Sequence, residues 1–335
     1  MPATTVLALD GALASSVTIT LDVLAMANRT CHSLGRPGAF DVRLVGSGAQ
    51  HFRPFLAFPE AQHAAPELLI VPAQGLSKAP SYAARLAEPD AEDARGEIRR
   101  AAAAGAHLAA SCTAVLLLAS TGLLAHRRAT TAWWLAPVVR DMFPEVLLDT
   151  GELVLTDGPF TTAGAAMAQM DLTVGLVARY AGAEIADACA RRMVLDERRS
   201  QVPYMAIGLL AASNERVARA AAWARNRLGH PVAVDDLAAA AGLSPRTFAR
   251  RVTDATGLSP VRFLQQLRME RAVELIESTS LAFDEIAHQV GYSDPSTLRE
   301  LIRRGLGVGP REIRARARPS EAGALSMRAG RGRAA

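Results

Sequence analysis

The chain has 335 residues, 50% of them hydrophobic and 21% charged, which suits two globular domains and excludes a disordered protein. Its three cysteines, Cys31, Cys112 and Cys189, are odd in number and far apart, which argues against a disulfide framework or a metal-ligand cluster. No apolar run reaches the ~18 residues of a membrane span and no leader pattern opens the sequence, so a cytoplasmic protein without metal, cofactor or membrane partner is expected.

Charge is unevenly distributed. Residues 1–213 carry 17 basic and 20 acidic side chains, a net of −3, whereas 214–335 carry 20 and 13, a net of +7. All the cations but Lys78 are arginine, so arginine content by itself says little. The asymmetry says more: a basic half joined to a mildly acidic one is expected when one part meets a polyanion.

In chain order, short apolar runs over 6–9, 42–45, 68–71 and 107–111 read as strands. They alternate with helical patterns over 21–29 and 91–104. Strands follow over 153–156 and 160–162, then helices over 165–180 and 183–194. Alternating strands and helices predict an α/β domain, a parallel sheet covered on both faces, over residues 1–195. Residues 196–213 begin with a charged cluster and contain Ser200, Gln201 and Pro203; they read as a linker with a helical piece near 204–212. From 214 to 317 the pattern is entirely helical. The tail 318–335, rich in Gly, Ala and Arg, is expected to be disordered and basic.

The helical half contains a duplication. Residues 237–263 read LAAAAGLSPRTFARRVTDATGLSPVRF, and residues 286–313 read IAHQVGYSDPSTLRELIRRGLGVGPREI. Gly242 and Gly291 are 49 apart, while Gly257 and Gly307, Pro260 and Pro310, and Phe263 and Ile313 are each 50 apart, so the second turn holds one extra residue. Each copy has what a helix-turn-helix requires. Ala238 and Ala287 allow close helix packing, and Gly242 and Gly291 allow a positive φ at the turn. Ser244 caps the next helix with Pro245 at its first position. Phe248 and Val252, four apart, face inward, leaving Arg246, Arg250 and Thr253 outward. In the second copy Leu298, Leu301 and Ile302 face inward, and Ser296, Glu300 and Arg303 outward beside Arg299.

This half resembles the AraC/XylS family DNA-binding domain, seven helices carrying two helix-turn-helix units. The resemblance implies that both recognition helices enter successive major-groove segments of promoter DNA. It places base or phosphate contacts at Arg246, Thr247, Arg250 and Arg251 in the first unit, and at Ser296, Thr297, Arg299 and Arg303 in the second. Glu300 departs from the pattern: it can accept from a cytosine amino group or pair with Arg304, four residues on.

In the first half, HLAASCTAVLLLASTGLL sets Cys112 directly after a strand and before a helix. That is the layout of a nucleophile elbow, where the helix dipole favours a thiolate. Residues 4–195 resemble the class I glutamine amidotransferase/PfpI-like fold, and the whole chain resembles the GlxA-type branch of AraC regulators. Supporting stretches include ELLIVPAQG, SCTAVLLLASTGLLAHRRATTAWW and TTAGAAMAQMDLTVGLVARY. Catalysts of this fold resemble one another in an acid near the elbow and often a histidine. By motif position those fall at Ser16 and Ala132, and Asp22 lies further along a helix surface. Ser16, Cys112, Thr113 and Trp133 are therefore expected to line an effector pocket rather than a catalytic centre.

The expected function is a sequence-specific transcriptional regulator, a homodimer answering an unknown small-molecule effector, with no enzyme activity. The rival is a cysteine-dependent hydrolase or deglycase-like enzyme with an accessory DNA-binding domain. A DNA-architectural protein without a ligand is a third reading, and a purely dimerising first domain remains open.

Overall fold

The computed structural model describes residues 1–57, 59–62, 65–75, 81–196, 198, 200–201, 204–212 and 214–317. The chain divides into two compact units, Met1–Met205 and Ala206–Ala335. The tail 318–335, expected to be disordered, lies outside the described residues.

Unit 1 has strands β1 (Ala3–Leu7), β2 (Asp41–Val45), β3 (Leu68–Val71), β4 (His107–Ser111), β5 (Arg128–Ala129), β6 (Leu147–Leu148), β7 (Val154–Asp157) and β8 (Phe160–Ala163). Its helices are α1 (Ala14–Ser33), α2 (Ala49–Phe52), α3 (Tyr82–Leu86), α4 (Pro89–Ala103), α5 (Ala114–Ala119), α6 (Ala136–Met142), α7 (Ala168–Ala181) and α8 (Ala183–Arg192). The main sheet runs β2-β1-β3-β4-β8-β7, and β5 pairs with β6 apart from it. Its first four pairings are parallel, as expected, but β7 lies antiparallel to β8. The reason is a tight turn at Gly158, φ +58, after Asp157: two residues leave no room for the crossover a parallel pair needs.

The central strands β3 and β4 are buried throughout, because helices cover both faces. Successive residues point to opposite sides. Leu68, Ile70 and Ala109 join α1, α7 and α8 in one apolar layer, while Leu69, Val71, Leu108 and Ala110 join α4 and α5 in the other. In α1, Val17, Leu21, Leu24 and Cys31 repeat at helical spacing on the buried face. Each fully buried Leu or Val contributes about 1.5–3 kcal/mol relative to exposure.

Unit 2 is helical: α9 (Ile207–Ala212), α10 (Glu215–Arg225), α11 (Val234–Ala241), α12 (Pro245–Thr256), α13 (Pro260–Ser278), α14 (Phe283–Gln289), α15 (Pro295–Leu306) and α16 (Pro310–Ala317). The long α13 packs against α11 and α12 of the first repeat and against α14, α15 and α16 of the second, so it joins the two repeats. The segment 196–213 is shared out. Ser200 and Gln201 are hydrogen-bonded into unit 1, while Ile207–Ala212 forms α9 and packs on α10, α12 and α13.

Candidate DNA-binding helices and the Cys112 elbow

In the first repeat α11 ends at Gly242, whose φ of +65 turns the chain. Ser244 Oγ then accepts from Thr247 N–H at 3.3 Å, and Pro245 opens α12. In the second repeat Gly291 has φ +84, and a Cβ there would lie 2.5 Å from the Leu228 carbonyl oxygen. Asp294 caps α15, accepting from Ser296 N–H at 2.9 Å, and these contacts hold its carboxyl below the usual carboxylate range. Phe248 and Val252 in α12, and Leu298 and Ile302 in α15, are fully buried. Each helix therefore has one fixed face and presents the other to solvent.

On those outer faces the side chains differ in freedom. Arg246, Arg250, Arg251 and Arg303 are exposed, and among the described residues they make no ion pair or side-chain hydrogen bond. Thr247 is half-buried and bonded to Ser244, and Ser296 and Thr297 are bonded to Asp294. Arg299 is held on the neighbouring helix, 3.9 Å from Asp284 and 5.0 Å from the Phe283 ring centre. Glu300 pairs with Arg304 on its own helix, one of the two roles its position allows.

The elbow of unit 1 has the expected shape. Cys112 follows β4 with φ +52, a left-handed conformation uncommon outside glycine, and α5 begins two residues later. Its N–H donates to the Ala163 carbonyl at 2.9 Å, and its carbonyl accepts from Thr131 Oγ1 at 2.8 Å. Thr113 Oγ1 accepts from Gln74 N–H at 2.7 Å and donates back to the Gln74 carbonyl. Ser16 Oγ accepts from Ala73 N–H at 3.0 Å, tying α1 to the same loop.

The thiol environment differs from the expectation. Cys112 is 5% exposed and lies among Ala73, Leu116, Ala132, Leu135 and Val139. Burial pushes its pKa up to about 11, outweighing the hydrogen bonds with Thr113 that lower it. The thiolate expected from the helix dipole is thus disfavoured: α5 has only six residues, and desolvation of an anion costs more than its terminus returns. Neither nearby histidine reaches the sulfur. His107 opens β4, about 17 Å away at a strand's ~3.3 Å per residue. It bonds Thr161 Oγ1 at 2.8 Å, and burial lowers its pKa to about 4. His126 is exposed on a turn with φ +60.

Alkylation should report this directly. The reactive thiolate at pH 7 is roughly one part in ten thousand for a pKa of about 11. Iodoacetamide labelling of Cys112, followed by peptide mass mapping, should climb about tenfold per pH unit from 7 to 10 without levelling near 8.5. A plateau below pH 8 would refute the buried-thiol assignment.

Residues 237–316 match the family model of a helix-turn-helix domain. The chain is 26% identical over 213 residues to the HTH-type transcriptional regulator GbdR of Pseudomonas aeruginosa, covering 63% of this chain and 58% of that one. It is 24% identical over 229 residues to the HTH-type transcriptional regulator GlxA of Rhizobium meliloti, covering 65% and 68%. A crystal structure of an AraC family transcriptional regulator from Pseudomonas putida is 20% identical, with a TM-score of 0.43, over 57% of this chain and 100% of that one.

The chain carries a helix-turn-helix domain over residues 237–316. It spans less than two thirds of the GbdR length.

In unit 1 the loop at Gln74 brings Ser16, Cys112 and Thr113 together. Trp133 is buried outside the apolar cluster around Cys112, edge-on to Trp134 with ring centres 5.3 Å apart. Two glutamines escaped the reading of the sequence. Gln74, 7% exposed, lines a small crevice with Leu9, Tyr82, Leu86, Thr113 and Leu116, and its Oε1 has no partner among the described residues. Gln201 is 1% exposed and donates through Nε2 to the Thr131 carbonyl at 2.8 Å. Nothing in their surroundings in sequence marks either one, since a glutamine beside Pro, Gly or Ser reads as loop. Among the described residues no group of His, Cys, Asp and Glu would hold a metal ion, and no helix is long and apolar enough to cross a membrane.

Proposed function

We propose that the protein is a cytoplasmic, sequence-specific transcriptional regulator that binds promoter DNA through α12 and α15 and is not an enzyme. One observation carries this reading: two copies of a helix-turn-helix each have a buried inner face, and their outer faces hold exposed arginines, Arg246, Arg250 and Arg251 on α12 and Arg303 on α15, that are unpaired among the described residues. Arg246 and Arg250 are the base readers, with Thr247 and Arg251 at the flanks. Arg303 is a phosphate contact, and Ser296, Thr297 and Arg299 position α15. Arginine suits the guanine edge because its planar fork donates two parallel hydrogen bonds. The protein acts as a homodimer, so that its sites recur in paired elements.

Unit 1 is the effector domain in this proposal, with Ser16, Cys112, Thr113 and Trp133 at or beside the pocket. A small-molecule ligand with a hydrogen-bond donor would suit the buried Gln74 Oε1, which accepts from none of the described residues. The protonated thiol, with Ser16 and Ala132 where an acid and a histidine would stand, supports binding rather than turnover.

Selection of duplexes from a random library with the full chain tests the regulator reading. Enriched sites should carry two elements about one helical turn apart, read from one face of the DNA. Cys112→Ala should enrich the same sites, and neither protein should hydrolyse amides or glyoxals. Wild-type turnover lost in Cys112→Ala, with no enriched site, would instead favour an enzyme.

A further inference from the structure

Gln201 lies in a segment whose composition reads as linker, yet its side chain is sealed inside unit 1. Its Nε2 donates to the Thr131 carbonyl at 2.8 Å, to Thr130 Oγ1 at 3.2 Å and to the Glu152 carbonyl at 3.3 Å. Its Oε1 accepts from Trp133 N–H at 3.1 Å. Ser200 beside it donates to the Gly151 carbonyl at 2.7 Å and bridges to Glu152. Space for the amide depends on Gly164, where a Cβ would come within 2.8 Å of Gln201 Oε1. So specific a socket is not what a passive connector needs.

The socket is built from the segment that also holds the elbow. Thr131 gives its carbonyl to Gln201 and its hydroxyl to the Cys112 carbonyl. The Cys112 backbone, strained at φ +52, is thus two hydrogen bonds from Gln201. Gln201 in turn precedes Ala206, the first residue of unit 2, by five positions. Moving Thr131 to accommodate something at the elbow would strip a buried amide of partners, and a buried amide without partners leaves its site.

We infer that Gln201 is a latch that ties the connector before unit 2 to the elbow at Cys112, and that displacement of the elbow releases the 200–201 strap. The latch rests on the proposed function in one respect: its release matters because unit 2 binds DNA. Within unit 1 it stands on its own, and coupling of this kind runs equally in both directions. Opening the strap must loosen the elbow, and altering the elbow must open the strap.

Both directions are measurable in the full chain. Gln201→Glu keeps the shape but replaces the donor by a carboxylate facing carbonyl oxygens. At pH 8, iodoacetamide should alkylate Cys112 in this variant at least tenfold faster than in the wild type. The rates of the other buried cysteines, Cys31 and Cys189, should stay unchanged, as a guard against general unfolding. Arg198→Ala is the control, since it removes the pairing with Asp171 and so loosens the same segment away from the socket. It should leave Cys112 labelling at the wild-type rate. In reverse, methyl methanethiosulfonate converts the Cys112 thiolate to a methyl disulfide and expels methanesulfinate. Trypsin should then cut after Arg198 at least fivefold faster than in identically treated Cys112→Ser.

Unchanged Cys112 labelling in Gln201→Glu overturns the latch, as does an equal rise in Arg198→Ala or a rise shared by all three cysteines. Gln201→Glu should also change affinity for a selected duplex at least fivefold. Faster labelling with unchanged DNA affinity would overturn the latch as a relay while sparing the proposed function. Failure of the wild type to bind DNA would contradict the proposed function instead, and the labelling arms, which use no DNA, would still decide the latch.

Discussion

Phe248→Ala is expected to remove about 3–5 kcal/mol from the stability of unit 2, the usual cost of emptying a buried aromatic site. Phe248 is fully buried in α12, which packs against α9, α10, α11 and α13. The cavity would lie among helices that α13 links to the second repeat, so little local collapse is available to fill it. Domains of this size have only about 5–15 kcal/mol in total, and a loss of 3 kcal/mol lowers the melting point by about 12 °C or more. Trp223 in α10 supplies a fluorescence signal for the transition. A shift below about 3 °C would mean that Phe248 does not hold the recognition helix in place.

Arg250→Ala should weaken binding to a selected duplex by about 1–3 kcal/mol and relax preference at particular base pairs, and Arg246→Ala should behave alike. Both side chains stand on the outer face of α12, and among the described residues neither has a partner to compete for it. Glu300 occupies the corresponding outward position on α15 but is paired with Arg304. Being negative and already engaged, it must leave that pair and approach phosphates to touch a base. Glu300→Ala should therefore leave affinity unchanged or raise it, with sequence preference intact. Titration against libraries with each half-site randomised separates the two helices. Selectivity erased by Glu300→Ala and untouched by Arg250→Ala would reverse the assigned roles.

The regular parts of this molecule were legible because local chemistry and tertiary packing agree. In β3 and β4 short apolar runs are bounded by turn residues, and both faces are covered. In the repeats, Gly242, Ser244 and Pro245 each do in the structure what their side chains dictate locally. The antiparallel β7 was not foreseen, although Asp157-Gly158 before Pro159 is a hairpin signal; the parallel pattern of the preceding strands set the expectation. The elbow was legible as a shape but not as an electrostatic environment. A helix terminus beside a cysteine is visible in sequence, whereas the apolar ring of Leu116, Leu135 and Val139 that suppresses the thiolate is assembled only by folding. For Gln201, burial comes from Gly164 and the Thr130–Thr131 segment, distant in sequence, so composition alone suggests a solvated linker.

The central claim, that unit 2 of this chain exists to bind DNA, is tested most directly by the salt dependence of affinity for a selected duplex. Residues 214–335 carry a net charge of +7, and among the described residues Arg246, Arg250 and Arg251 on α12 and Arg303 on α15 are unpaired. If six phosphates are neutralised, log affinity should fall against log salt concentration with a slope of about −5, because each contact releases condensed counterions. A steep slope on the selected duplex, reduced by about one in Arg303→Ala, is the predicted result. A slope near zero, with Arg303→Ala indistinguishable from the wild type, would contradict the account.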